Sequence, residues 1–205
     1  MKTVKTKHFD YGNKEIEYLR KVDKTLGKAI EKMERVERTV IPDLFAALIY
    51  AIIGQLISAK AVDTIWNRMQ EQFGKISPEN MSKLSADEIQ KCGITMKKAV
   101  CIKNIAETVN NGEFNLNELC NLSDEEVIKR LSTLKGIGKW TAEMLLINSM
   151  ERLDVVSFDD IAIRRGICKL YGLESVTKEE FKKYKERYSP YGSVASIYLW
   201  KLSFE

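Results

Sequence analysis

Apolar residues along this chain recur at spacings of three and four and almost nowhere alternate, which commits it to helices rather than sheet. Ile16, Leu19, Val22, Leu26, Ile30 and Met33 form one such stripe, in which Gly27 marks either a kink or a break between two helices. Pro42-Asp43 opens a run to about Ile53 that has no polar face, a pattern that predicts central burial. Ala59 to Phe73 reads as a helix stopped at Gly74, and further helices are predicted at about Lys97 to Asn110, Gly138 to Met150, Asp160 to Tyr171 and Tyr191 to Leu202. Ser85-Ala-Asp-Glu88, Ser123-Asp-Glu-Glu126 and Thr177-Lys-Glu-Glu180 fit the capping box, in which a hydroxyl accepts from an N–H of the first turn and a glutamate bonds back. With only three prolines and no low-complexity linker, the expected fold class is all-α. Residues 1–205 read as one compact helical unit whose first and last helices share a lobe, and two small lobes around a cleft also fit the length.

Composition narrows the chemistry only a little. Cys92, Cys101, Cys120 and Cys168 stand singly, with no C-x-x-C pair, so neither a zinc knuckle nor an iron–sulfur cluster is written here and reduced thiols are expected. Met1 is followed by Lys-Thr-Val-Lys-Thr-Lys with no long apolar run behind it, and the apolar stretch from Leu44 to Ile57 carries Gln55 and is too short to span a bilayer. The expectation is a cytoplasmic protein without a membrane partner. A net charge of +4 does not by itself establish a nucleic-acid partner, and the lysine clusters at 91–103, 129–139 and 182–187 read equally as solvated helix faces.

The segment Leu134-Lys-Gly-Ile-Gly-Lys-Trp-Thr-Ala-Glu143 is more specific. It sets Gly136 and Gly138 between two helices, where a turn brings backbone close to a partner that side chains would block. Peptide N–H groups and the next helix's N-terminus make an anion site there, and a DNA phosphate fits it; a plain tight helix–helix turn is the alternative. After one complete helix comes Ser157-Phe-Asp-Asp-Ile-Ala-Ile-Arg164, whose Asp160 falls at a helix start, where negative charge is favoured. An ordinary N-cap is one reading; a division of labour, with Asp159 as the cap and Asp160 left to face a cleft, is the other.

The turn L-K-G-I-G-K-W-T-A-E followed by F-D-D-I-A-I-R resembles the helix-hairpin-helix (HhH-GPD) DNA glycosylase superfamily, and within it most closely the 3-methyladenine DNA glycosylase II type. Ile52-Ile-Gly-Gln-Leu-Ile-Ser58 and Tyr188-Ser-Pro-Tyr-Gly-Ser-Val-Ala195 also look like family segments, so the resemblance runs from about Asp23 to the end. It implies two helical lobes with a cleft, a hairpin at about 126–150, and Asp160 as the catalytic carboxylate. Cleaving an N-glycosidic bond builds positive charge on the sugar, which a fixed negative charge stabilises.

Relatives that also nick DNA carry a lysine nucleophile where Trp140 stands here, and a tryptophan forms no Schiff base, so the resemblance implies a monofunctional hydrolase for alkylated purines such as 3-methyladenine. It further implies that Trp140 and Tyr191 line the base pocket, that Gly136, Ile137, Gly138, Lys139 and Thr141 meet DNA, that Leu56 is a wedge and that Gln55 contacts the orphan base. No cofactor is required, although the carbonyls of Ser132, Leu134 and Ile137 match positions that hold a monovalent cation, sodium or potassium. The implied partner is double-stranded DNA containing damaged bases, bound by a monomer that is nucleoid-associated in a prokaryotic cell. Two departures stand out: there is no room for an N-terminal β-domain, and the four-cysteine cluster of another branch is absent after Cys168. A non-catalytic helix-hairpin-helix DNA-binding module, or a glycosylase with lyase activity for oxidised bases, are the alternatives; Asp160 speaks against the first and Trp140 against the second.

Overall fold

The structure, a computed structural model, describes residues 4–205; Met1 to Thr3, where the polar N-terminal stretch begins, lie outside the described residues. In chain order the helices are α1 (Asn13–Val22), α2 (Lys24–Met33), α3 (Leu44–Gly54), α4 (Ala59–Phe73), α5 (Pro78–Ser82), α6 (Ala86–Gln90), α7 (Met96–Asn110), α8 (Asp124–Leu131), α9 (Lys139–Asn148), α10 (Ile161–Tyr171), α11 (Lys178–Tyr188) and α12 (Gly192–Phe204). Two short strands, β1 (Lys7–His8) and β2 (Thr39–Val40), pair with each other. Among the described residues no helix is long and apolar enough to cross a membrane. Among the described residues the chain is all-α apart from that one small ribbon.

The described residues divide into two units: 4–7 with Ile41–Met150, and His8–Val40 with Glu151–Glu205. In the first, α3 has no polar face because α4, α7 and α9 all pack on it, burying Phe45, Leu48, Ile49, Ile52 and Ile53. Helix α9 is buried from Thr141 to Ile147, and α5 and α6 lie against α7. The expected capping boxes at Ser85 and Ser123 start α6 and α8, so these helix starts were set by local chemistry.

In the second unit α1 and α2 share the core with α10, α11 and α12. The break in the N-terminal stripe lies at Asp23 rather than Gly27. Asp23 has extended backbone and its side chain accepts from the N–H groups of Thr25 and Leu26, so a strong N-cap restarts the helix while Gly27 stays inside α2. Thr177 opens α11 with the third capping box. Helices α10 and α12 approach so closely that a Cβ on Gly166 would fall 2.2 Å from the Leu199 carbonyl oxygen. That contact sets the register between the middles of α10 and α12.

Candidate active site

The hairpin motif decodes as anchors alternating with open backbone. Leu134 and Ile137, three apart, turn inward and are buried, whereas Lys135, Gly136, Gly138 and Lys139 are exposed. Successive short bonds, Thr133 N to Arg130 O at 3.2 Å, Leu134 N to Leu131 O at 3.0 Å and Ile137 N to Leu134 O at 3.0 Å, wind the turn tightly between α8 and α9.

The two glycines serve different needs. Gly136 has φ +94°, and a Cβ there would sit 2.6 Å from Cys101 Sγ, so the fold itself demands glycine. Gly138 has φ −92°, an ordinary value, and nothing lies within 4 Å of where its Cβ would be. It opens α9 without a side-chain cap, and the surface there presents a helix N-terminus, the natural complement of an anion.

The residues expected to meet DNA divide on inspection. Lys139 is exposed, its ammonium 3.6 Å from the buried Glu143 carboxylate, and Trp140 is half-buried in the first turn of α9. Ile137 offers only its backbone, since its side chain is an anchor. Thr141 is buried, and its hydroxyl accepts from Gln55 Nε2 at 3.4 Å, because the first turn of α9 rolls that position inward. The Gln55 amide also donates to the Gly136 carbonyl at 3.1 Å, so it fastens the loop after α3 to the hairpin. Leu56 next to it is fully exposed (104%) with φ +59°.

In the other unit, Asp160 is 6% exposed and is itself the N-cap of α10, correcting the assignment of that role to exposed Asp159. The helix starts one residue later than a cap at Asp159 would require. Asp160 Oδ1 accepts from Ile163 N at 2.9 Å and from Trp200 Nε1 at 3.2 Å, two donors that fix the plane of the carboxylate. Trp200, stacked under the Arg38 guanidinium at 4.3 Å, carries no local sequence signal of this role, because forty residues separate it from Asp160. Tyr191 is buried at the start of α12 with its ring edge-on to Tyr18, centroids 5.2 Å apart. Trp66 is buried and packs edge-on against Tyr50, and half-buried Phe158 packs edge-on against Phe181.

The family of HhH-GPD superfamily base excision DNA repair proteins matches residues 49–190, a span that holds the Gln55-Leu56 loop, the hairpin and Asp160. This chain belongs to that superfamily. Over 166 residues the HhH-GPD chain is 37% identical to DNA-3-methyladenine glycosylase 1 of Schizosaccharomyces pombe, covering 78% of this chain and 72% of that protein. In three dimensions it is similar to the Schizosaccharomyces pombe 3-methyladenine DNA glycosylase Mag1 in complex with abasic DNA, with a TM-score of 0.82 and 32% identity over 92% of this chain and 96% of that one. It is also similar to a DNA-3-methyladenine glycosidase of Bacillus halodurans, with a TM-score of 0.79 and 31% identity over 97% and 92% of the two chains. The α8–α9 pair is thus the hairpin of an HhH-GPD protein, and α10 is the helix that follows it with an aspartate at its start.

Proposed function

We propose that this HhH-GPD protein is a monofunctional DNA glycosylase, acting as a monomer, that extrudes alkylated purines such as 3-methyladenine from duplex DNA and hydrolyses their N-glycosidic bonds. The observation that carries this reading is Asp160, a buried carboxylate oriented at a helix start by a backbone amide and an indole N–H. Departure of the purine with the bonding pair leaves positive charge on the sugar; Asp160 stabilises that charge and takes a proton from the water that adds at the anomeric carbon, which leaves an abasic sugar in an intact strand. Trp140 supports water as the nucleophile, because an indole cannot form the Schiff base that a strand-nicking lyase requires. The same ring suits a cationic alkylated purine, with cation–π attraction of about 0.5–2 kcal/mol. Tyr191, held edge-on by Tyr18 at the start of α12, is the second ring that this reading assigns to the base pocket.

The exposed backbone of Gly136 to Lys139 takes the phosphates of the duplex. The carbonyls of Ser132, Leu134 and Ile137 supply the oxygen donors that a hard monovalent cation prefers, and Leu134 O, although it accepts the turn bond from Ile137, keeps a second lone pair. Sodium or potassium held there would bridge the turn to a phosphate. A purely DNA-binding module has no use for Asp160, whose charge near DNA would only weaken association.

The test is a denaturing gel on duplexes carrying 3-methyladenine, 7-methylguanine, hypoxanthine or ethenoadenine. The expected product is an abasic site that breaks only after alkali. Breaks without alkali overturn the monofunctional reading, and release of none of these bases overturns the glycosylase reading.

A further inference from the structure

Leu56 is an unusual residue for a folded protein to display. A leucine exposed over its whole side chain gains nothing from burial, and its φ of +59° lies where side chains with a Cβ are strained. Such a conformation persists only where the surroundings over-determine it. Two fastenings do so, one on each side of the loop that joins α3 to α4. The Gln55 side chain reaches the hairpin, as described above. From the first turn of α7, Lys98 Nζ donates to the carbonyls of Ile53 at 2.7 Å and Gln55 at 2.6 Å.

Lysine is a poor choice for that turn on local grounds. A cation near a helix N-terminus opposes the macrodipole, and Lys97 already stands beside it. Burial also pushes the Lys98 ammonium below the ordinary lysine pKa. Both costs are offset only in α3, whose C-terminal carbonyls present the negative end of a helix to this cation. A residue that breaks a local rule and finds its compensation in another element marks a place where function outranks local stability.

We propose that Lys98 is a positioning residue that holds Leu56 in its projecting conformation, so that the leucine enters the duplex as a preformed wedge. This rests on the glycosylase reading given above. The loop carrying Leu56 is then part of one rigid platform: α7 grips its backbone through Lys98, and one helical turn further along, Cys101 donates its thiol to the Lys135 carbonyl at 3.0 Å and packs beneath Gly136. Wedge and hairpin are thereby referenced to the same helix.

The experiment compares excision from two duplexes, one with the lesion fully paired and one with it opposite an abasic gap, where extrusion costs less and the wedge matters less. Lys98→Met keeps the aliphatic stem and removes the ammonium; it should unfold near the wild-type midpoint and lose about tenfold in single-turnover excision on the paired duplex, with less than about threefold lost opposite the gap. Leu56→Ala should show the same asymmetry, and the double variant should be no worse than the poorer single one. Amide exchange over residues 55–58 should quicken in Lys98→Met while the rest of α3 is unchanged. Equal losses on both duplexes, additive losses in the double variant, or unaltered exchange in the loop would each overturn the proposal. If Lys98→Met does not fold, Lys98→Gln carries the same comparison with one donor restored. If the wild-type protein releases no base, the glycosylase reading fails, and loop exchange alone still decides whether Lys98 holds Leu56.

Discussion

Asp23 and Asp160 begin two helices of the same unit, are buried to nearly the same degree (4% and 6% exposed), and each accepts a backbone N–H of its own first turn. What meets the carboxylate from elsewhere differs. Asp23 Oδ2 accepts from the Tyr171 hydroxyl at 2.5 Å and from Arg187 Nη1 at 2.7 Å, and Tyr171 is bonded in turn to Tyr188 at 2.8 Å. Burial works to raise the Asp23 pKa, but the bonds from Tyr171, Arg187 and the Leu26 amide outweigh it and hold the group below the usual carboxylate value. Asp160 instead takes an indole N–H on the same oxygen that caps its helix. A helix start makes a buried carboxylate tolerable; a partner from another helix decides its use. Asp23 is paired with the Arg187 guanidinium and Asp160 is held by the Trp200 indole; in the proposed reaction Asp160 also stabilises the positive charge that builds on the sugar of the departing base.

That contrast breaks most sharply at Asp160. Asp160→Asn keeps a capping oxygen, so its thermal midpoint and its affinity for an abasic-site duplex should stay close to wild type, while single-turnover excision falls by on the order of 10²–10³, equivalent to about 2.7–4 kcal/mol. A fully active Asp160→Asn protein would reduce it to a second structural cap. Trp200→Phe retains a ring for Arg38 to stack on but removes the indole N–H; excision should drop about tenfold or somewhat more, the worth of one hydrogen bond to a charged group.

Asp23→Asn should reverse the pattern, with activity per folded molecule retained and about 1–3 kcal/mol of stability lost in urea titrations at neutral pH, discounted because Arg187 is partly exposed. The sign of its pH dependence follows from the lowered pKa. Stability from Asp23 is fully present above the ordinary carboxylate value of 3.8 and is lost as the pH falls through the folded value, so the gap between wild type and Asp23→Asn should close below about pH 4. A gap that stays constant down to pH 2 would remove the electrostatic account of this cap.

The smallest effects separate the two hairpin glycines. Gly138→Ala should leave stability within about 0.5 kcal/mol and weaken duplex binding a few-fold, since only a partner needs that space. Gly136→Ala should lower stability by about 1 kcal/mol or more through its positive φ and the Cys101 sulfur beneath it. Identical behaviour of the two variants would mean that the space above Gly138 is unused.

Much of the fold was legible locally. Three capping boxes, the apolar run of α3 and the stop at Gly74 are written in contiguous residues, and the helices they predict lie within a residue or two of those observed. The break at Asp23 was misplaced because a glycine is the louder sequence signal, yet a capping aspartate ends and restarts a helix more effectively than a glycine interrupts one. The hairpin and Asp160 were found through a motif with family precedent. Nothing in the pattern distinguished exposed Asp159 from buried Asp160, or revealed that Thr141 and Gln55 bind each other.

Helix spacing, helix ends and the backbone freedom of the hairpin were decided by the amino-acid order itself, because each depends on groups a few residues apart whose geometry the chain imposes. The partners of Asp160, Asp23 and Leu56 were decided only by tertiary packing: Trp200 lies 40 positions from Asp160, Arg187 164 from Asp23, and Lys98 43 from Gln55. Hydrogen bonds and ion pairs act over a few ångströms whatever the separation in sequence, so these partners take their places only when the helices that carry them have packed.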